Sequence, residues 1–167
     1  MAVDVQLVRT LRDQTGAGIM DCKEALEKSG GNMEKAIEVL REKGVASAGK
    51  RSGRDTKEGV IETYIHTGGR VGAMVELGCE TDFVARTEEF HKLAHDIAMQ
   101  VAAMGPVYVS EDEIEEGDSR PPAQITLMLQ PFIKNSSSSV GEMVKELAGN
   151  VGENIRVVRF SRLAVGE

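Results

Sequence analysis

Three features of the chain predict an α+β fold. Apolar residues at helical spacing fill the first 44 residues, alternation begins near Val60, and the longest helical stretch, from about Thr87, follows the apolar run Val71 to Cys79. The organisation expected is a three-helix bundle over residues 1–44, a linker over 45–57, and an α+β core over 58–167 in which antiparallel strands pack against helices.

In the bundle, Val5, Leu7, Val8 and Leu11 follow helical spacing, and Asp4 stands where an N-cap is wanted. Thr15-Gly16-Ala17-Gly18 ends this helix, because glycine supplies the positive φ of a helix stop. A second helix, from about Met20 to Ser29, buries Cys22, Ala25 and Leu26, and Gly30-Gly31 breaks it. Asn32 caps a third, carrying Met33, Ala36, Ile37, Val39 and Leu40, with Lys43 in its last turn and Gly44 after it. Periodicity then fails over 45–57, which reads as a tether or a frayed helix.

In the core, Val60 to His66 alternates, Thr67-Gly68-Gly69-Arg70 is a hairpin turn, and Val71 to Cys79 returns. Phe90, Leu93, Ala94, Ile97, Ala98, Val101 and Ala102 then fall at three- and four-residue steps until Gly105-Pro106. Residues 111–130 are acidic, then Pro-Pro, then apolar. Asn135 and the four serines after it read as a polar loop, Ser139 and Glu142 as a capping box for a helix to about Val151, and Ile155 to Leu163 as the last strand.

Composition narrows the function classes. At 41% hydrophobic and 28% charged the chain is an ordinary globular protein, and no apolar run reaches membrane-spanning length. The N-terminus lacks the pattern of a signal peptide, and two separate cysteines, Cys22 and Cys79, suit a reduced cytoplasmic setting. Net charge is −7, and residues 59–167 hold 9 Lys and Arg against 17 Asp and Glu, which argues against a nucleic-acid surface.

The junction Thr81-Asp82-Phe83-Val84-Ala85-Arg86 is the least ordinary stretch. Strand-to-helix junctions are normally polar, yet this one presents Phe83 and Val84 in a chain with four Phe and no Trp. Phe83 reads either as a staple for the helix that follows or as an exposed anchor for a partner. Asp82 either caps that helix or acts on a partner directly. A second stretch, Thr15 to Asp21, is at least a helix–helix turn, and Ile19 and Met20 set apolar groups at its corner.

Other constellations are weaker. His91 and His95 stand at i, i+4, a spacing that can hold zinc, but no third ligand is evident. Cys22 occupies an apolar helical position, where thiols are usually inert. Gly44-Val45-Ala46-Ser47-Ala48-Gly49-Lys50 matches a phosphate loop up to its lysine, but Arg51 follows where the Mg²⁺-holding hydroxyl belongs, and no strand precedes it.

Three long motifs in order carry a resemblance: Arg12 to Leu26 (RDQTGAGIMDCKEAL), Thr81 to Ala85 (TDFVA) after a cysteine at a strand end, and Gly152 to Phe160 (GENIRVVRF). Together they resemble the bacterial-type elongation factor Ts family over most of the chain except about 111–130, where family members generally carry a longer helical insertion. The resemblance implies a ubiquitin-associated-like N-terminal bundle and a guanine-nucleotide exchange factor for elongation factor Tu, bound in its GDP and nucleotide-free forms. It implies no covalent chemistry, and no cofactor, metal or nucleotide of the chain's own. By the same resemblance, Thr81, Asp82, Phe83 and Val84 would disturb the partner's Mg²⁺ site. Gly16, Ala17, Gly18, Ile19, Met20, Asp21 and Lys23 would form a second contact with its nucleotide domain. No nucleic acid or membrane partner is implied, and a homodimer is left open; the shortness of 111–130 puts any interface made there in question.

Overall fold

A computed structural model describes residues 4–167 of the chain. Seven helices are named in it: α1 Val5–Thr15, α2 Ile19–Lys28, α3 Met33–Gly49, α4 Asp82–Ala85, α5 Glu88–Met104, α6 Pro122–Ile125 and α7 Val140–Val151. The strands are β1 Glu58–Ile65, β2 Val71–Cys79, β3 Pro131–Phe132, β4 Asn135–Ser139 and β5 Ile155–Ala164. The fold is α+β as expected. By internal packing it divides into two units: residues up to Gly53 together with Lys145–Glu153, and Arg54–Val144 together with Asn154–Glu167.

In the first unit the Asp4 carboxylate accepts the Gln6 amide at 2.9 Å and caps α1. Gly16 closes that helix at φ 68°, its amide donating to the Arg12 carbonyl at 2.8 Å. Val8, Leu11, Ala17, Cys22, Ala25, Leu26, Ala36 and Leu40 make one buried cluster among α1, α2 and α3. Each fully buried leucine there contributes about 1.5–3 kcal/mol. Val5 and Ile37, assigned by spacing to the apolar stripe, are exposed.

The third helix does not stop at Gly44; it continues to Gly49, so the frayed-helix alternative describes residues 45–49 better than a tether does. Gly44 is buried against Gly149 of α7, and a Cβ added to Gly149 would lie 2.4 Å from the Gly44 Cα. A glycine within a helix costs about 1 kcal/mol. Here the missing side chains let two helix backbones approach, and that packing outweighs the local preference for a stop.

The second unit is built on an antiparallel sheet in the order β1-β2-β5, with β2 central. The β1–β2 turn closes through the Gly69 amide, which donates to the His66 carbonyl at 2.8 Å; Gly68 and Gly69 have φ of 92° and 69°. α5 packs on β1 and β2. It contributes Phe90, Leu93, Ala94, Ile97, Ala98 and Val101 to a core shared with Ala73, Val75, Leu77 and Cys79 of β2. On the sheet, Ile61, Ile65, Met74 and Leu163 stay exposed.

Residues 111–130 are ordered around a parallel bridge between Tyr108 and Thr126, and Ile125 and Leu127 are buried. Asn135–Ser139 is a strand rather than a polar loop; it pairs with β3, and the pairing rather than side-chain pattern makes it one. Buried Gln100 donates to the Gln130 side chain at 3.1 Å and accepts the Ile133 amide at 2.9 Å, fixing this hairpin to α5. Ser139 and Glu142 form the expected reciprocal box, at 2.8 and 3.2 Å. Among the described residues no helix is long and apolar enough to cross a membrane.

Candidate functional site

The junction after β2 is a single helical turn, clasped at both ends. The Thr81 hydroxyl caps α4 by accepting the Val84 amide at 3.5 Å, and the Cys79 thiol donates to the Thr81 carbonyl at 3.1 Å. At the far end the Thr87 hydroxyl donates to the Val84 carbonyl at 2.8 Å and accepts the Phe90 amide at 3.4 Å, capping α5. Asp82 therefore caps neither helix, which corrects that alternative. It is the first residue of α4, and its carboxylate pairs with the Arg86 guanidinium at 2.8 Å.

A one-turn helix presents opposite faces with successive residues. Val84 is buried at 8% exposure, while Phe83 stands 79% exposed. The staple alternative for Phe83 is overturned: the aromatic beneath the start of α5 is Phe90, which is fully buried. Phe83 is thus a large apolar side chain displayed on a short, doubly capped turn.

At the α1–α2 corner, the Thr15 hydroxyl donates to the Leu11 carbonyl at 2.7 Å and accepts the Ala17 amide at 3.3 Å. Ala17 is buried and Gly18 is the N-cap residue of α2. Because Cys22, Ala25 and Leu26 occupy the inner face of α2, Ile19 and Met20 at its start are left outward, 55% and 72% exposed. Asp21 and Glu24 accept from the Lys43 ammonium at 2.8 and 2.6 Å, and Lys28 reaches Glu24 at 2.9 Å. Lys43, then Lys28, hold the Glu24 carboxyl down at about 2. Lys23 faces Glu27 at 3.8 Å.

The Nδ1 atoms of His91 and His95 each lie 3.7 Å from the Glu62 carboxylate, and the His95 ring stands edge-on to Tyr64 at 5.7 Å. No group of three His, Cys, Asp or Glu among the described residues is arranged to hold a metal ion. Cys22 is fully buried, and burial pushes its thiol above the ordinary value. The Gly44–Gly49 part of the phosphate-loop match lies within α3, so it is not a loop.

A family model described as elongation factor Ts matches residues 19–121, more than half of the chain. Elongation factor Ts from Synechococcus sp. (strain JA-3-3Ab) is 48% identical over 198 positions, covering 100% of this chain and 70% of the relative. The chain belongs to the elongation factor Ts family. The Thermotoga petrophila member is 43% identical over 195 positions, covering 100% of this chain and 98% of its own length. That of Carboxydothermus hydrogenoformans is 44% identical, covering 97% and 88%. Membership of the Ts family makes this chain a translation elongation factor. Alignments of 198 and 195 positions against a chain of 167 mean that these relatives carry residues which this chain lacks.

The sequence pattern gives no partner for three side chains around these stretches. Arg86 pairs with Asp82, Lys43 bridges Asp21 and Glu24, and Glu80 precedes the Thr81 cap. Lys43 reads locally as an ordinary last-turn cation, and its partners stand 22 and 19 residues away.

Proposed function

We propose that this chain is a guanine-nucleotide exchange factor. It binds elongation factor Tu in the GDP-bound and nucleotide-free states and promotes GDP release without forming a covalent intermediate. The observation that carries the reading is the 79% exposure of Phe83 on a turn fixed by Val84 and by the Thr81 and Thr87 caps. A rigid aromatic loses little side-chain entropy on docking. In the partner, Mg²⁺ bridges GDP to the protein, so displacing the groups around it loosens the nucleotide.

Energetics call for a second contact. Weakening GDP by about 10⁴-fold takes about 5.5 kcal/mol of differential binding, and burying one Phe supplies about 1.5–3 kcal/mol. Ile19 and Met20, exposed at the α1–α2 corner with Asp21 and Lys23 beside them, are the assigned source of the remainder. The setting is cytoplasmic, and neither nucleic acid nor membrane is a direct partner.

Stopped-flow release of a fluorescent GDP analogue from elongation factor Tu, with and without excess unlabelled GDP, tests this. The chain should accelerate release by orders of magnitude at micromolar concentration. Binding without acceleration would reduce it to an interaction module.

A further inference from the structure

Asn154, in the motif that begins at Gly152, ties the start of β5 to Glu80 and Arg54. We infer that Glu80, held by Asn154 and Arg54, is the positioning residue for Phe83; this rests on the exchange reading given above. Glu80 joins β2 to the Thr81 cap. Its carboxylate accepts the Asn154 backbone amide at 2.6 Å, and the Arg54 guanidinium approaches the same oxygen at 3.4 Å. The Asn154 side-chain amide donates to the Arg54 carbonyl at 2.7 Å. Three segments remote in sequence, the approach to β1, the end of β2 and the start of β5, are thereby tied one residue ahead of Thr81.

The chemistry suits a fixed anchor. Asn154 is 5% exposed and the Glu80 side chain 23% exposed, so a partly desolvated carboxylate meets a backbone N–H and a cation. Charge-assisted bonds of this kind are shorter and stronger than neutral ones. Val84 keeps α4 down on the core, but it does not fix where the turn begins. Glu80 does, and Phe83 is three residues on. Preorganising an anchor in its bound position lowers the ordering cost of docking, so Glu80 acts on the rate through Phe83 without touching the partner.

The test uses the full chain with Glu80→Ala, Glu80→Gln and Phe83→Ala. In the free protein, amide hydrogen exchange of residues 84–86 should rise about tenfold in Glu80→Ala. Glu80→Gln, which keeps an acceptor for the Asn154 amide, should return it to within about threefold of the parent. GDP release should slow about threefold or more in Glu80→Ala, and Glu80→Ala should add little in the Phe83→Ala background, as coupled residues do. Unchanged exchange at 84–86, or losses that multiply independently of Phe83, overturn the inference. So does faster amide exchange spread evenly over β2 and β5 that Gln does not rescue, since that marks a merely structural role. Should Glu80→Ala unfold, Glu80→Asp, whose carboxylate is one methylene short of the Asn154 amide, is read by the same criteria. If Phe83→Ala itself releases GDP normally, the exchange reading of Phe83 fails and leaves Glu80 nothing to position. If Phe83→Ala is slow while the Glu80 variants are normal, only the present inference fails.

Discussion

Phe83 and Val84 are neighbours in sequence and opposites in environment: the valine is 8% exposed and the phenylalanine 79%. The pair separates folding from display. Val84→Ala should therefore destabilise the chain by about 1–3 kcal/mol through a cavity under α4. Phe83→Ala should leave the melting temperature within about 2 °C, as surface substitutions do. Thermal melts of both variants decide it, and an equal loss in each would mean that Phe83 packs.

Thr81, not Asp82, caps the turn. Thr81→Ala should cost about 1 kcal/mol. Asp82→Asn breaks only an exposed pair with Arg86, 2.8 Å away, and should cost about 0.5 kcal/mol or less. Urea melts compare the two. A larger loss from Asp82→Ala than from Asp82→Asn, which keeps a capping oxygen, would return the capping role to the aspartate.

Gly44 and Gly149 are unequal partners. A Cβ on Gly149 would meet Gly44 backbone atoms at 2.4, 2.7 and 2.8 Å, whereas one on Gly44 would sit 3.6 Å from the Gly149 Cα. Gly149→Ala should destabilise by about 2 kcal/mol or more through overpacking, and Gly44→Ala should be neutral or stabilising by up to about 1 kcal/mol, because alanine favours the helix. Equal effects in denaturant melts would remove the crossing as the reason for the longer α3.

The Glu24 carboxyl is held at about 2 by Lys43 and Lys28. Its folded value lies below that of the unfolded chain, about 4.3. The stability it contributes is therefore present above the unfolded value and is lost as pH falls through the folded one, toward pH 2. Carboxyl-detected NMR should place the Glu24 midpoint near 2 in the parent and move it upward in Lys43→Ala. A midpoint unmoved by that substitution would show that Lys43 is not the cause.

How far the sequence could be read depended on how local each cause was. α1, α2, α5 and the three long strands follow from periodicity and caps, because each buries one face over many residues. Gly44 reads as a helix stop until Gly149 is seen opposite it. Asn135–Ser139 carries no strand pattern, since its serines pair through backbone alone. α4 is too short for periodicity to reveal, so neither its Thr81 cap nor the orientation of Phe83 is legible in the sequence. His91 and His95 were legible as a pair, but Glu62, which they face, comes from packing of α5 on β1. The contacts of Glu80 reach 26 and 74 residues along the chain and are invisible to any local pattern.

Stopped-flow release of a fluorescent GDP analogue from elongation factor Tu, driven by the parent chain and by Phe83→Ala, tests the central claim most directly. Loss of the exposed anchor should slow release about tenfold or more, with the melting temperature unchanged. Release at the parent rate, or a slow rate accompanied by unfolding, would contradict the anchor role of Phe83.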